Sequence, residues 1–218
     1  MKTYFYLFIL VSAFSCKEVE RSIIDKPIIF DNERKELTLD YLFQRYGLKQ
    51  KEPTIVPQMI VLHWTYIPTF QESFDAFNNT KLPNWRPEIQ DVSGLNVSSQ
   101  FLVDQDGTIY RLMPETTMAR HVIGLNHCAI GIENVGGDVA TPLTDAQVDA
   151  NIFLVNYLAK KYDIKYLIGH YEYTNFENHE LWLEKDKGYR TEKDDPGEGF
   201  LEKVKNATKQ FNFKPTPK

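Results

Sequence analysis

The chain has 218 residues, of which 42% are apolar and 25% are charged, and this composition is typical of a globular protein with a full hydrophobic core. Its 30 acidic and 25 basic residues leave a net charge of -5. An acidic balance argues against nucleic acid as a partner, because binding to phosphates usually needs a basic face. We expect one domain of ordinary size with a short extension, and we expect it to be monomeric.

The N-terminus has the pattern of a secretory signal. Lys2 precedes a run without charges from Tyr4 to Phe14, far shorter than the roughly 20 residues that cross a bilayer as a helix. The small residues before Cys16 resemble the lipobox of bacterial lipoproteins, in which the cysteine carries the lipid. We therefore predict a signal peptide over residues 1–15 and lipidation of Cys16. The alternatives are an ordinary cleavage site with an incidental cysteine and a short membrane anchor.

The next segment is charged and irregular, and we interpret residues 17–34 as a tether from the membrane. Thr38 is the predicted N-cap of a short helix that ends at Gly47. The predicted boundaries are a tether with an N-terminal helix over 16–50, a main domain over 51–212 and a C-terminal tail over 213–218.

In the main domain, short apolar runs alternate with helical patterns. Thr69 with Glu72, and Thr144 with Gln147, are possible capping boxes that open two helices. The turn Asp104–Gly107 separates two strand-like runs and predicts a hairpin. Such alternation indicates an α/β fold with a mixed central β-sheet flanked by helices. The predicted strands are 59–62, 100–103, 108–112, 129–132 and 166–168.

Three dispersed residues could hold a metal ion. His63 and His170 each end an apolar strand-like run, where a side chain can project into a cleft, and Asp195 lies in the turn-forming string Asp194-Asp195-Pro196-Gly197. Two imidazoles and one carboxylate, with a fourth position left to water, form the ligand set of a catalytic zinc site. The spacing alone leaves open a pair of hydrogen-bonded histidines and an aspartate that closes its own turn.

Five short motifs stand out along the main domain, namely Val61–Thr65, Phe101–Tyr110, Ile130–Asn134, Ile168–His170 and Lys193–Gly197. They appear in the order found in the N-acetylmuramoyl-L-alanine amidase 2 family, which also contains the phage T7-type lysozymes and the peptidoglycan recognition proteins. The chain resembles this family over about residues 55–211, and the resemblance implies a single domain of that fold.

The resemblance implies that His63, His170 and Asp195 bind one Zn²⁺ ion, that Glu133 is the catalytic carboxylate and that Lys193 is the catalytic lysine. The implied reaction is hydrolysis of the amide between N-acetylmuramic acid and L-alanine in peptidoglycan or muropeptides. In this reaction Glu133 would be the general base, and the ammonium of Lys193 would stabilise the oxyanion.

We also predict contacts of the substrate with His121, Trp64 and Arg120. The chain departs from the family pattern at Gln100, where many relatives carry histidine, and at Arg120, where they often carry tryptophan. The segment 171–190 lengthens the gap before Asp195, and we expect it to form a flap or short helix over one rim of the cleft.

Two other functions remain open. Recognition proteins on this fold bind peptidoglycan without cutting it, typically after the loss of a zinc ligand, and the same zinc site could hydrolyse a different amide. The predicted location is the cell envelope, with the lipid anchor in the outer membrane, because Lys17-Glu18 after the cysteine resembles outward-sorting signals of some Bacteroidetes lipoproteins.

Overall fold

The computed structural model describes residues 21–84, 89 and 92–217. The predicted signal peptide, Cys16 and Lys17-Glu18 lie outside these residues, so lipidation and location stay predictions. Within the described ranges, no helix combines the length and the apolar character needed to cross a bilayer.

The described residues form one six-stranded mixed sheet with the order β1-β4-β3-β5-β2-β6. Strands β3, β5, β2 and β6 run parallel to one another, whereas β4 runs antiparallel to β3 and β1 runs parallel to β4. The predicted hairpin and the predicted mixed sheet are therefore confirmed. The strands are β1 (Ile23–Asp25), β2 (Met59–Trp64), β3 (Phe101–Val103), β4 (Ile109–Arg111), β5 (Ala129–Asn134) and β6 (Tyr166–Gly169).

Two of the helices begin at the predicted caps. The Thr144 hydroxyl accepts a hydrogen bond from the Gln147 amide while the Gln147 side chain accepts one from the Thr144 amide, which is a full capping box. Thr69 likewise accepts from the backbone of Glu72. The helices in the described residues are α1 (Asn32–Tyr46), α2 (Phe70–Asn78), α3 (Asp145–Lys161), α4 (Glu198–Ala207) and two 3₁₀ helices, His170–Phe176 and Lys209–Phe211.

The prediction of a tether over residues 17–34 is wrong for its described part. Strand β1 pairs with β4 at one edge of the sheet, and α1 begins at Asn32, well before the predicted cap. The Asp31 carboxylate accepts a hydrogen bond from the Arg34 amide at 2.8 Å and is the true N-cap. Thr38 lies inside the helix, where its hydroxyl donates to the Arg34 carbonyl at 2.7 Å. Gly47 ends the helix with a left-handed backbone, as predicted.

Arg34 explains why this charged segment is part of the fold. Its side chain is buried, and its guanidinium donates to the carbonyls of Phe77, Asn78 and Asn79 at the C-terminal end of α2. A helix leaves its last carbonyls without intrahelical partners, so a buried cation there satisfies acceptors that water would otherwise reach. Burial lowers the pKa of Arg34 to about 10.

The predicted C-terminal tail is also partly packed. Phe213 lies against the core, and the Lys214 amide donates to the Lys165 carbonyl at 2.8 Å.

Two hydrophobic layers cover the sheet. Ile60, Leu62 and Ile132 pack with apolar residues of α3 and α4, whereas Met59 and Val61 belong to a separate cluster. Side chains of a strand alternate between its faces, so His63 shares the face of Met59 and Val61.

The segment 171–190 is built into this second cluster. It begins within the 3₁₀ helix, and its side chains Tyr173, Phe176, Leu181 and Tyr189 are all buried. The predicted short helix is therefore present, but most of the segment's large apolar side chains belong to the core, so it is not a free flap.

Candidate metal centre

Three residues that are far apart in the sequence come together at the carboxyl ends of the parallel strands. His63 is the penultimate residue of β2, His170 directly follows β6, and Asp195 lies just before α4. The Nδ1 atoms of the two histidines are 3.0 Å apart, and each lies 3.1 Å from Oδ2 of Asp195. All three residues are buried, so their ligand atoms form a compact triangle shielded from solvent.

Hydrogen bonds alone do not account for this triangle. A neutral imidazole carries a single N–H, so two histidines provide at most two protons for three contacts, and at least one contact must then join two donors or two acceptors. A cation shared by the three atoms removes this conflict. Zinc bound tetrahedrally at 2.0–2.1 Å would place its ligand atoms roughly 3.3 Å apart. The donor set and its spacing therefore fit a zinc ion.

The Asp195 carboxylate is held as an anion. Burial tends to raise its pKa, but the charges and hydrogen bonds of His170 and His63 outweigh burial and place the pKa far below its usual range. A carboxylate that stays ionised at every physiological pH can serve as a metal ligand.

Glu133 lies next to His63 in the sheet. The two residues are partners in the parallel register of β2 and β5, so their side chains point to the same face of adjacent strands. Glu133 is buried and lines the same cleft as the three candidate ligands. The Asn134 side chain donates to the His63 carbonyl at 2.8 Å, which ties the two strand ends together.

Lys193 also lines this cleft, two residues before Asp195. It makes no hydrogen bond or ion pair with another described residue, so its ammonium is available to a bound molecule. The cleft has a volume of about 780 Å³, within the range of sites that enclose small ligands. The structure thus brings both predicted catalytic residues and all three predicted ligands into one cavity.

The three predicted substrate contacts have different environments. His121 makes hydrogen-bond contacts with His63 and with the Ala129 carbonyl, and burial lowers the pKa of His121 well below its ordinary value. Trp64 packs against Gly137, where an added Cβ would lie 2.4 Å from the indole ring. Each of these side chains is therefore tied to the frame of the site.

Arg120 supports the cleft wall. Its side chain is buried, and its guanidinium donates to carbonyls of the segment 89–95 and to the Tyr189 hydroxyl. Arg120 therefore braces this wall while also lining the cleft, and its contact with the substrate stays a prediction.

Two residues in or near the site have conformations or contacts that the sequence did not predict. Tyr66 lines the cleft with 63% of its surface exposed and a backbone φ of 56°, an uncommon conformation for a residue other than glycine. Gln100, where relatives carry histidine, bridges Thr117 and Gly131 by donating to the carbonyl of one and accepting from the amide of the other. This departure from the family pattern therefore has a structural role.

Fold and site together define a mixed α/β domain with a buried candidate metal site of two histidines and one carboxylate at the carboxyl ends of its parallel strands. A family model described as N-acetylmuramoyl-L-alanine amidase matches residues 39–198. The chain belongs to this amidase family, and the family and fold predicted from the sequence are confirmed.

Solved structures show the same fold. N-acetylmuramoyl-L-alanine amidase LysC from Clostridium intestinale URNW is 23% identical, with a TM-score of 0.53 over 88% of this chain and 99% of that chain. A selenomethionine derivative of AmpD is 22% identical, with a TM-score of 0.51 over 85% and 93%. Bumblebee PGRP-SA is 16% identical, with a TM-score of 0.52 over 90% and 99%. No curated protein sequence matches the chain significantly.

Proposed function

We propose that the protein is a zinc-dependent amidase that hydrolyses the bond between N-acetylmuramic acid and L-alanine in peptidoglycan or muropeptides. The observation that carries this proposal is the triangle of ligand atoms from His63, His170 and Asp195, with sides of 3.0–3.1 Å, beside Glu133 in one cleft. Membership of the amidase family supports the choice of an amide as the bond that is cut.

The mechanism divides the chemistry between the ion and two side chains. A zinc ion held by His63, His170 and Asp195 would supply Lewis-acid activation of the scissile carbonyl and of the attacking water. Glu133 accepts the proton of that water and passes it to the leaving amine of L-alanine. The Lys193 ammonium stabilises the negative oxygen that develops on the former carbonyl. Burial of the ligand triangle keeps bulk water from weakening these charge interactions.

A binding module on the same fold is the second candidate, because PGRP-SA shares this architecture. A protein that only holds peptidoglycan needs neither a buried carboxylate beside the candidate metal site nor a lysine in the same cleft. Glu133 and Lys193 both line the cleft together with the complete ligand set, and this favours the enzyme.

Product mapping on one defined muropeptide tests the proposal. The purified chain from residue 17 onward is loaded with zinc, and its products are identified by mass spectrometry. Free stem peptides with an amino-terminal L-alanine are expected. Binding without any product would favour the recognition module, and cuts inside the stem peptide would show a different amidase specificity.

Three variants test the site residues. His170→Ala and Asp195→Ala are expected to lose stoichiometric zinc, since each removes one of three ligands. Glu133→Gln keeps the shape of the side chain and should retain zinc while turnover falls by about 10²–10⁴-fold. Glu180→Gln makes the same chemical change at an exposed position outside the cleft and should be fully active. Near-normal turnover of Glu133→Gln would remove this residue from the mechanism.

We further propose that a lipid on Cys16 anchors the enzyme to the cell envelope, in the outer membrane, on the support of the sequence pattern alone. Metabolic labelling with a fatty acid should mark the wild-type chain and not Cys16→Ser, and membrane fractionation should locate the anchored form. Equal labelling of both chains would contradict the assignment.

A further inference from the structure

His121 contacts the metal-site residue His63 from the side opposite to the ligand triangle. Nδ1 of His121 lies 3.0 Å from Nε2 of His63, and Nε2 of His121 lies 3.3 Å from the carbonyl oxygen of Ala129. The two rings meet edge to face, with their centroids 5.1 Å apart. The contacts thus form a chain from a backbone carbonyl of β5, through two imidazoles, to the Nδ1 atom that faces His170 and Asp195.

The proton positions along this series of hydrogen bonds follow from the Ala129 carbonyl, at which the series begins. The Ala129 carbonyl can only accept a hydrogen bond, so Nε2 of His121 must carry the proton. Neutral His121 then has a bare Nδ1, which can only accept, so His63 must donate from its Nε2. With its proton on Nε2, His63 presents an unprotonated Nδ1 to the ligand triangle, and this is the form that binds a metal ion.

The surrounding residues hold His121 in the orientation that these hydrogen bonds require. The Asn126 side chain accepts hydrogen bonds from the amides of His121 and Val122, at 2.9 and 2.8 Å. Gly131 leaves the space that the ring fills, since an added Cβ there would lie 2.9 Å from Cγ of His121. The ring is therefore fixed both by its backbone and by the strand beneath it.

We infer that His121 is a positioning residue that sets the tautomer and orientation of His63 and is not a contact for the substrate. The inference rests on the proposed zinc site and assigns to one further residue the preparation of a ligand. The acceptor at Nδ1 of His121 is the essential feature. Any other group that accepts a hydrogen bond from Nε2 of His63 at this position would fix the same tautomer.

Zinc affinity, measured without substrate by competition with a chromophoric chelator, tests the inference. His121→Phe keeps an aromatic ring and removes the acceptor, and its zinc affinity should fall by about 10–100-fold. In His121→Asn the amide oxygen can take the place of Nδ1, so this variant should regain most of the lost affinity. His179→Phe is the matched control, because His179 contacts Tyr166 and lies outside the metal site; its zinc affinity should equal that of the unaltered protein.

Kinetics at saturating zinc separate positioning from substrate contact. Loss of a positioning residue should lower kcat with an unchanged KM, whereas loss of a substrate contact raises KM and leaves zinc affinity intact. A raised KM with normal zinc affinity in His121→Phe would overturn the inference, and so would equal losses of affinity in the Phe and Asn variants.

A measurement on the unaltered protein covers the case in which a variant fails to fold. Long-range ¹H–¹⁵N correlation spectra of the zinc-loaded protein should show His121 protonated at Nε2 and not at Nδ1, and protonation of His121 at Nδ1 would refute the proposed series of donors. Normal zinc binding by His121→Phe would defeat this inference and leave the proposed amidase standing. Failure of the unaltered protein to bind zinc would defeat the proposed function itself.

Discussion

Gly131→Ala tests how tightly the sheet confines the metal site. The ideal Cβ of an alanine at this position would lie 2.9 Å from Cγ of His121 and 3.0 Å from its Nδ1. Carbon atoms in contact are normally about 3.5–4.0 Å apart, so the imidazole has to move by about 0.6 Å. A shift of that size can lengthen the 3.0 Å contact with Nε2 of His63 to as much as about 3.6 Å, beyond the range of a hydrogen bond.

Two opposing effects determine the stability of this variant. Overpacking of a core position costs about 1–3 kcal/mol, and the replacement of a strand glycine by alanine returns roughly 0.5–1 kcal/mol through the entropy of the unfolded chain. We therefore expect a net loss of about 1–2 kcal/mol in the free energy of unfolding. For a chain of this size, that loss lowers Tm by about 2–8 °C. Zinc affinity should fall by about 10-fold, because the partner that orients a metal ligand is displaced.

Denaturant unfolding and chelator competition measure both effects on the same samples. Gly199→Ala is the matched control, since an added Cβ in α4 meets nothing within 4 Å. It should raise the free energy of unfolding by about 0.4–1 kcal/mol and leave zinc affinity unchanged. If Gly131→Ala were as stable as the wild type and bound zinc equally well, the imidazole would not be confined, and the argument for its fixed orientation would fail.

Three more perturbations test other parts of the site and the fold. Lys193→Gln should lower kcat by about 10²–10³-fold with unchanged zinc affinity, because it removes one donor to the oxyanion; normal kcat in steady-state assays would exclude that role. Burial lowers the pKa of His127 to about 4, so this ring stabilises the fold above pH 6.5, its ordinary pKa, and loses that contribution as the pH falls towards 4. Between pH 7 and pH 5 this loss in the free energy of unfolding amounts to about 2 kcal/mol. His127→Phe keeps the edge contact with Tyr46 and should remove this part of the pH dependence, as measured by urea titrations at several pH values. If the free energy of unfolding of the variant changed with pH as much as that of the wild type, the role of His127 would be contradicted. Removal of zinc by a chelator should lower the free energy of unfolding by about 4 kcal/mol relative to protein with free zinc at 1,000 times Kd, and Asp195→Ala should show no such difference. Equal unfolding midpoints of the wild type with and without zinc would argue against a zinc site.

Local chemistry made much of the fold predictable. The capping box of Thr144 and Gln147 satisfies backbone groups within one turn of α3, so its signal lies entirely in adjacent sequence. The hairpin depends on a turn, Asp104–Gly107, in which the Gly107 amide donates to the Asp104 carbonyl at 2.9 Å and Gly107 has a φ of 83°. Each of these features needs no information from distant parts of the chain.

The N-terminal errors arose where distant contacts decide the outcome. Asp31 and Thr38 are both acceptable caps by residue type, and the helix extends to the earlier one because Arg34 reaches the carbonyl end of α2, more than 40 residues away. Strand β1 has only three residues, too few to show alternation, and its place in the sheet depends on pairing with β4. Charge alone therefore gave a misleading indication of solvent exposure.

In the candidate site, too, some features could be predicted from the sequence, and those that depend on distant contacts could not. The two strand-end histidines and the carboxylate before Pro196 were accessible from sequence, because the carboxyl ends of parallel strands open onto one edge. The contacts of Arg120 and His121 were not, since Arg120 donates to the carbonyls of Ile89, Ser93 and Leu95, and His121 contacts the Ala129 carbonyl. Polar side chains of this kind look alike in sequence whether they contact a ligand or hold the frame.

The register of β2 and β5 joins the parts of the site into one mechanism. One pairing of these strands places Glu133 beside His63, and the same pairing places Gly131 beside Val61, where the missing side chain makes room for His121. A slip of one residue would turn Glu133 to the opposite face and bring the bulkier Ile130 or Ile132 under the His121 ring. The position of the proposed general base and the preparation of the proposed metal ligand therefore depend on a single alignment of two buried strands, which their apolar side chains enforce.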